Sequence, residues 1–444
     1  MLSPLFATEA MSAIFSDRAR LQAMLDFEAA LARAEAAVGL IPAAAADAIV
    51  RTCLADNFDL VVLGRETAQA GNPAIPMVKQ LTALVANVDA PAARFVHWGA
   101  TSQDAMDTGL ALQLRAGLAS IEADLQKLSA DLATLAKHHA KTPMIGRTLL
   151  QQAVPVTFGL KAAGWLSAVE RSRTRIAEAS GVACVLQFGG AAGTLASLGE
   201  RGLDVAAELA KVLALDLPDL PWHSHRDRLV DMAAALGLLV GTLGKIAHDI
   251  ALLMQTEVGE AAEPAGPGRG GSSTMPHKRN PIGCAVALAA AQRVPQLVAT
   301  LLAAMPQEHE RGLGGWHAEW DTIPEIFLLA SGALRQMVDA VAGLTIDPAR
   351  MGENLEATRG LIMAEAVMMA LGDHIGRLEA HDLVEAACRC AVEQDRHLRD
   401  VLAQDSAVTA HLSPDALDRL FAPAAYLGVA ERFVQRVLAA RKPR

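Results

Sequence analysis

The sequence predicts an all-α protein organised around a central bundle of long helices. Three observations carry that prediction. Hydrophobic residues make up 52% of the 444 positions but aromatics only 4%, so the core must be packed from Ala, Leu, Val and Met. All of these but Val are strong helix formers. Helical apolar spacing runs over about 103–139, 154–180, 225–260, 281–304 and 321–343, and several of these runs exceed an ordinary globular helix. Finally, β-branched runs are confined to "FDLVVLG" at 58–64 and "GVACVLQFGG" at 181–190, and neither opens a strand–helix alternation.

Taken in chain order, Leu21, Met24, Leu25, Leu31 and Val38 share one arc of a helix that Asp17 could cap and Gly39 could end. Breaks bearing Pro or Gly fall near 91–100, 140–147, 216–221, 262–276 and 343–352. The first and last of these divide the chain into a helical N-terminal region (1–110), a long-helix centre (111–346) and a helical C-terminal region (347–444). The most apolar run, "MAAALGLLVGTLG" at 232–244, has 13 residues before Lys245, too few to cross a bilayer, and reads as a buried helix.

Charge and cysteine use narrow the function classes. The net charge of −10 argues against a nucleic-acid binder, so any anionic ligand has to be met by local clusters of donors. The five cysteines (53, 184, 284, 388 and 390) form no Cys-x-x-Cys pair, and the N-terminus shows no secretory pattern. Both features fit a reducing cytoplasm. Cys388 and Cys390 lie two apart on an expected helix and so do not face one another.

Three stretches concentrate polar residues that their surroundings do not explain. In "FVHWGATSQDAMDT" (95–108), Thr101 and Asp104 have the spacing of a helix-capping box, which leaves His97 and Trp98 unaccounted for. In "KTPMIGRTLLQQAVPVTFG" (141–159), Arg147, Thr148, Gln151 and Gln152 interrupt an apolar run. An Arg there needs an anionic partner, either a carboxylate of the chain or one on a ligand. The third, "GRGGSSTMPHKRNPIG" (268–283), places Ser272 and Ser273 after glycines and puts His277, Lys278 and Arg279 before Asn280 and Pro281, which could start a helix. A helix start beside these cations favours an anion. The loop lacks the Gly-Lys-Ser/Thr order of a phosphate-binding P-loop, and a solvated basic linker is the competing reading. His223 and His225 have a His-x-His spacing but no evident third ligand, so no metal is expected.

"GGSSTMPHKRNP" closely resembles the signature loop of the fumarase/aspartase superfamily, Gly-Ser-Ser-x-Met-Pro-x-Lys-x-Asn-Pro, at every defined position. The other two stretches are similar to the superfamily's remaining conserved regions in order and spacing. The resemblance implies a three-domain subunit with a central long-helix bundle, and a homotetramer whose active sites each draw the three regions from different subunits. It implies no metal or organic cofactor, while the net charge and the short apolar run argue against a nucleic-acid or membrane partner. "HWGATSQDAMDT" and "MPHK" are similar to two branches, the adenylosuccinate lyases and the enzymes that lactonise 3-carboxy-cis,cis-muconate in protocatechuate breakdown. The first branch carries an acid-catalytic His directly after Arg-Thr, where this chain has Leu149. "MIGRTLLQQAVPVTFG", "ERGLGGWHAEW" (310–320) and "GRLEAHDLV" (376–384) resemble the second branch. An amine leaving group gains from protonation by a general acid, whereas a carboxylate, whose conjugate acid has a pKa of about 4, does not. The resemblance therefore implies an intramolecular cycloisomerase acting on a small tricarboxylate. Adenylosuccinate-type elimination and a catalytically silent scaffold are the alternatives. By the same resemblance, Ser272 and Lys278 are catalytic. His97, Thr101, Ser102, Arg147, Thr148, Gln151, Ser273, Met275 and Asn280 bind substrate.

Overall fold

A computed structural model describes residues 3–265, 270–271, 274–275 and 277–441. The chain divides into two compact units: residues 1–125, 171–244 and 286–336 form the first, and 126–170, 245–285 and 337–444 the second. The predicted long helices are present as α1 (Asp17–Ala37), α2 (Ser102–His138), α3 (Phe158–Ala183), α4 (Asp227–Leu253), α5 (Ile282–Ala304) and α6 (Gly315–Ala342).

In the first unit α1 is buried on two sides. Leu21, Met24 and Leu25 pack into a cluster with Ile49, Met77, Leu81 and Val85. Phe27 and Leu31 pack into another with Phe188, Val205 and Leu209. An amphipathic helix normally keeps one wet face. Being covered on both sides, α1 also buries Glu28 and Glu35. Its cap is Ser16, whose hydroxyl accepts from Ala19 N–H, rather than Asp17, which sits in the first turn beside the positive end of the dipole. The Val38 C-cap is followed by Gly39 with φ 76°, the left-handed turn expected there.

The β-branched run at 58–64 leads into a helix, Leu60–Ala70, in keeping with the all-α expectation. Asp59 accepts from the N–H groups of Val61 and Val62, and that cap outweighs the β preference of a short Val-Val run. The 181–190 run finishes α3 and then makes one parallel bridge, Val185 to Asp216.

The second unit contains an antiparallel hairpin where the apolar spacing suggested that α3 would begin early. Its strands are β1 (Pro143–Thr148) and β2 (Gln151–Thr157), with Thr148 opposite Gln151 and a register shift between Ile145 and Arg147. Pro155, which has no N–H to give, is tolerated because a two-stranded sheet has only edges. The hairpin packs on the Pro348–Glu356 helix through Ile145 and Leu355. A further cluster joins Val367 and Leu371 to Ala380 and Val384 across two C-terminal helices.

By length and composition α4 and α5 could each cross a membrane, which the 13-residue apolar run did not suggest. In α4 61% of the apolar window is buried within the protein, as in a core helix; in α5 the share is 28%.

Candidate active site

The first polar stretch is a turn fixed from several directions. Asp104, fully buried in the first turn of α2, reaches back to accept from Thr101 N–H at 3.0 Å, the acid half of the expected capping box. It also accepts from Gly189 and Gly190 N–H, from Gln187 Nε2 and, at 2.7 Å, from His223 Nε2. This accounts for His223 as a buried partner of Asp104 while His225 is exposed. Gly99, at φ 73°, has no room for a side chain: a Cβ there would lie 2.6 Å from Leu198.

On this turn the Thr101 hydroxyl accepts from Arg311 Nη2 at 3.2 Å, and the Ser102 hydroxyl accepts from Asn72 Nδ2 at 3.3 Å. A hydroxyl that accepts still has its own proton to donate, so both can serve a carboxylate. His97 stands at φ 58° with Nδ1 2.6 Å from Glu28 Oε1. Burial alone would lower its pKa. The Glu28 carboxylate overrides burial by charge and hydrogen bond, Asp104 adds to this, and the net shift is upward from 6.5.

Also in the first unit, Arg226 is buried between Asp107, which it grips through Nη1 and Nη2, and Glu319. Burial disfavours its charge, but the two carboxylates outweigh that and hold it firmly protonated. The triad joins α2 to α6 and keeps the 101–108 turn in register.

Arg147, Thr148 and Gln151 lie on the hairpin in the second unit. Arg147 forms a bidentate pair with Glu260, at 2.8 and 2.7 Å, and Glu260, fully buried, also accepts from Asn354 Nδ2. The anion this arginine requires is thus supplied by the chain. Thr148 and Gln151 are exposed beside the tip. The tip is Leu149–Leu150, both at positive φ (50° and 65°) and both exposed. A two-residue turn of this kind is ordinarily Asn-Gly, because left-handed backbone costs other residues about 1–2 kcal/mol.

In the signature stretch, Ser272 and Ser273 lie outside the described residues. Lys278 and Met275 are exposed. Asn280 ties the loop to itself: its N–H donates to Gly270 O at 2.8 Å and its Nδ2 to Gly271 O at 3.5 Å. The sequence expectation for the start of α5 needs correcting here. The amides of Gly283 and Cys284 donate to the buried carboxylate of Glu263, not to Asn280, so the anion at this helix start is the chain's own.

His97, Thr101 and Ser102 therefore belong to the first unit, and the other described candidates to the second. Sequence reading overlooked Glu28, Asn72, Glu260 and Glu263, and it quoted Arg311 without giving it a role. Glu28 and Glu35 could have been noticed, because they continue the i, i+3, i+4, i+7 apolar row of Leu21, Met24, Leu25 and Leu31. Glu260 and Glu263 carry no such local signal.

Comparison with known proteins defines the class. Residues 6–295 match the sequence profile of the family described as Lyase, and residues 360–437 match that of the adenylosuccinate lyase C-terminus. The chain belongs to this lyase family, within the fumarase/aspartase superfamily. It is 58% identical to a 3-carboxy-cis,cis-muconate cycloisomerase of Pseudomonas aeruginosa, across 98% of this chain and 95% of that one. It is 55% identical to the enzyme of the same name from Bradyrhizobium diazoefficiens, across 99% and 97%. Among solved structures, the 3-carboxy-cis,cis-muconate lactonizing enzyme of Pseudomonas putida superposes with a TM-score of 0.95 at 54% identity, covering 99% of this chain and 98% of that one.

Proposed function

We propose that the protein interconverts 3-carboxy-cis,cis-muconate and carboxymuconolactone, the lactone step of protocatechuate breakdown through the β-ketoadipate pathway. The observation that carries this reading is near-full-length identity of 58% to an enzyme of that name, together with Leu149 at the position where the adenylosuccinate branch has its acid. One substrate carboxylate oxygen adds to the neighbouring double bond, and the carbon beside another carboxylate takes up a proton. In the reverse direction that proton leaves as the C–O bond breaks.

Ser272 is the proton donor in lactonisation and the base in reverse, with Lys278 stabilising its alkoxide. Asn280 meets the carboxylate whose charge grows. Since Glu263 occupies the amides at the start of α5, that stabilisation falls to Lys278 and Asn280 rather than to the helix end. His97, Thr101, Ser102, Thr148 and Gln151 orient the remaining carboxylates, assisted by Ser273 and Met275. Arg147 joins them with the guanidinium N–H groups not given to Glu260. No step needs a metal or an organic cofactor.

The active assembly is a homotetramer whose sites combine residues of several subunits, and each subunit has N-terminal (1–110), central (111–346) and C-terminal (347–444) domains. The apolar window of α5, only 28% buried within the chain, supports helix packing between subunits. A cytoplasmic location is supported by five free cysteines.

The test is an absorbance assay with purified protein. Loss of the conjugated diene on adding 3-carboxy-cis,cis-muconate is expected. Turnover of adenylosuccinate instead, or of neither compound, overturns the reading. Ser272→Ala should lower kcat by about a hundredfold or more while the assembly stays intact; full activity moves the proton-transfer role elsewhere.

A further inference from the structure

His97 is held in an uncommon way. It is a non-glycine residue in left-handed backbone, and a single strong side-chain bond, from Nδ1 to Glu28, fixes its ring. Glu28 is in turn committed to that bond. Its side chain is fully buried in α1, its Oε1 meets His97, and its Oε2 is buried with no hydrogen-bond partner among the described residues. A buried carboxylate with one partner is costly unless that partner carries the opposite charge. The pair is thus best satisfied as carboxylate and imidazolium.

The remaining groups facing the pair act in the same direction. Asp104 at the start of α2 adds negative charge near His97, although its own oxygens are shared among His223, Gln187 and three backbone amides. Glu35, two turns along α1 from Glu28, is pushed up to about 9, first by burial and then by the Glu28 charge, so it is neutral at pH 7 and does not compete for the histidine. Cys53, near Glu28, is likewise held protonated by burial and that charge. With Nδ1 occupied, the other ring nitrogen, Nε2, has no partner among the described residues, and 16% of the side chain stays open. Thr101 and Ser102 follow on the same turn.

We propose that Glu28 is a positioning residue for the reaction: it grips Nδ1 of His97, fixes the ring, and keeps it an imidazolium whose Nε2–H receives a substrate carboxylate. The inference rests on the assignment of His97 to substrate binding made above. A purely structural strut would need the hydrogen bond but not the charge.

The test measures kcat and KM of full-length Glu28→Gln on 3-carboxy-cis,cis-muconate from about pH 6 to about pH 8.5. Gln keeps size and hydrogen bonding but not charge, so the His97 proton is lost at lower pH. The KM ratio of variant to wild type should be within about threefold at the acid end and rise to about tenfold or more at the alkaline end, with kcat changed by less than about threefold. A ratio that does not change with pH overturns the proposal. In the double-mutant cycle, Glu28→Gln should add nothing further in a His97→Gln background; an undiminished additional effect also overturns it.

A second readout needs no turnover. The His97 Cε1–H resonance, identified by its loss in His97→Gln, should titrate above 6.5 in the wild type and about one unit lower or more in Glu28→Gln. Titration below 6.5 in the wild type refutes the charged pair even if Glu28→Gln does not fold. Should the wild type turn over adenylosuccinate instead, the proposed function fails, and the same pH series on that substrate decides the role of Glu28.

Discussion

Glu35 gives the sharpest quantitative prediction. Its side chain is fully buried in α1, both oxygens lack a hydrogen-bond partner among the described residues, and its pKa is raised from 4.5 to about 9, chiefly by burial and secondarily by Glu28. Between those two values the folded chain keeps a proton that the unfolded chain releases. Stability is therefore fully present below about pH 4.5 and falls by about 1.4 kcal/mol per pH unit above it, until the folded carboxyl itself ionises near pH 9. At pH 7 the loss is about 3 kcal/mol, corresponding to 2.5 units between 4.5 and 7.

Glu35→Gln removes the ionisation while keeping the shape. The variant should match the wild type near pH 4.5, exceed it by about 3 kcal/mol at pH 7, and level off near pH 9. For 444 residues unfolding together, with about 2.1 cal/mol/K per residue, that is a Tm gain of about 3–4 °C at pH 7. Thermal melts of both proteins across this pH range make the comparison. A Tm difference that stays constant with pH, or a variant less stable than wild type at pH 8, refutes the argument.

Two further predictions concern the framework of the site. Arg226→Met should cost about 3–5 kcal/mol in chemical denaturation, because Asp107 and Glu319 would be left as uncompensated buried carboxylates. Adding Asp107→Asn and Glu319→Gln should recover much of that loss, and no recovery would assign the cost to packing instead. Replacing Leu149–Leu150 by Asn-Gly should raise the Tm by relieving about 1–2 kcal/mol of left-handed backbone. A lower Tm would mean that the leucines are packed in the assembly.

Much of the chain was legible as sequence. The i, i+3, i+4 spacing of an Ala- and Leu-rich composition determined the long helices, because periodic apolar burial and local propensity act together there. The signature loop, one short contiguous stretch that matches at every defined position, determined the family. Both depend on residues close together in the chain. Tertiary structure decided the rest. The 143–157 segment became a hairpin on the Pro348–Glu356 helix although its apolar run continues into α3. Arg147 found its anion in Glu260, 113 positions away, and the α5 amides found theirs in Glu263. Glu28 came to hold His97 because α1 is covered on two sides, which removes a carboxylate from water and leaves it one charged partner. Sequence states which groups need a counter-charge; which group supplies it depends on how distant segments pack, since the cost of an unpaired charge arises only once water is excluded.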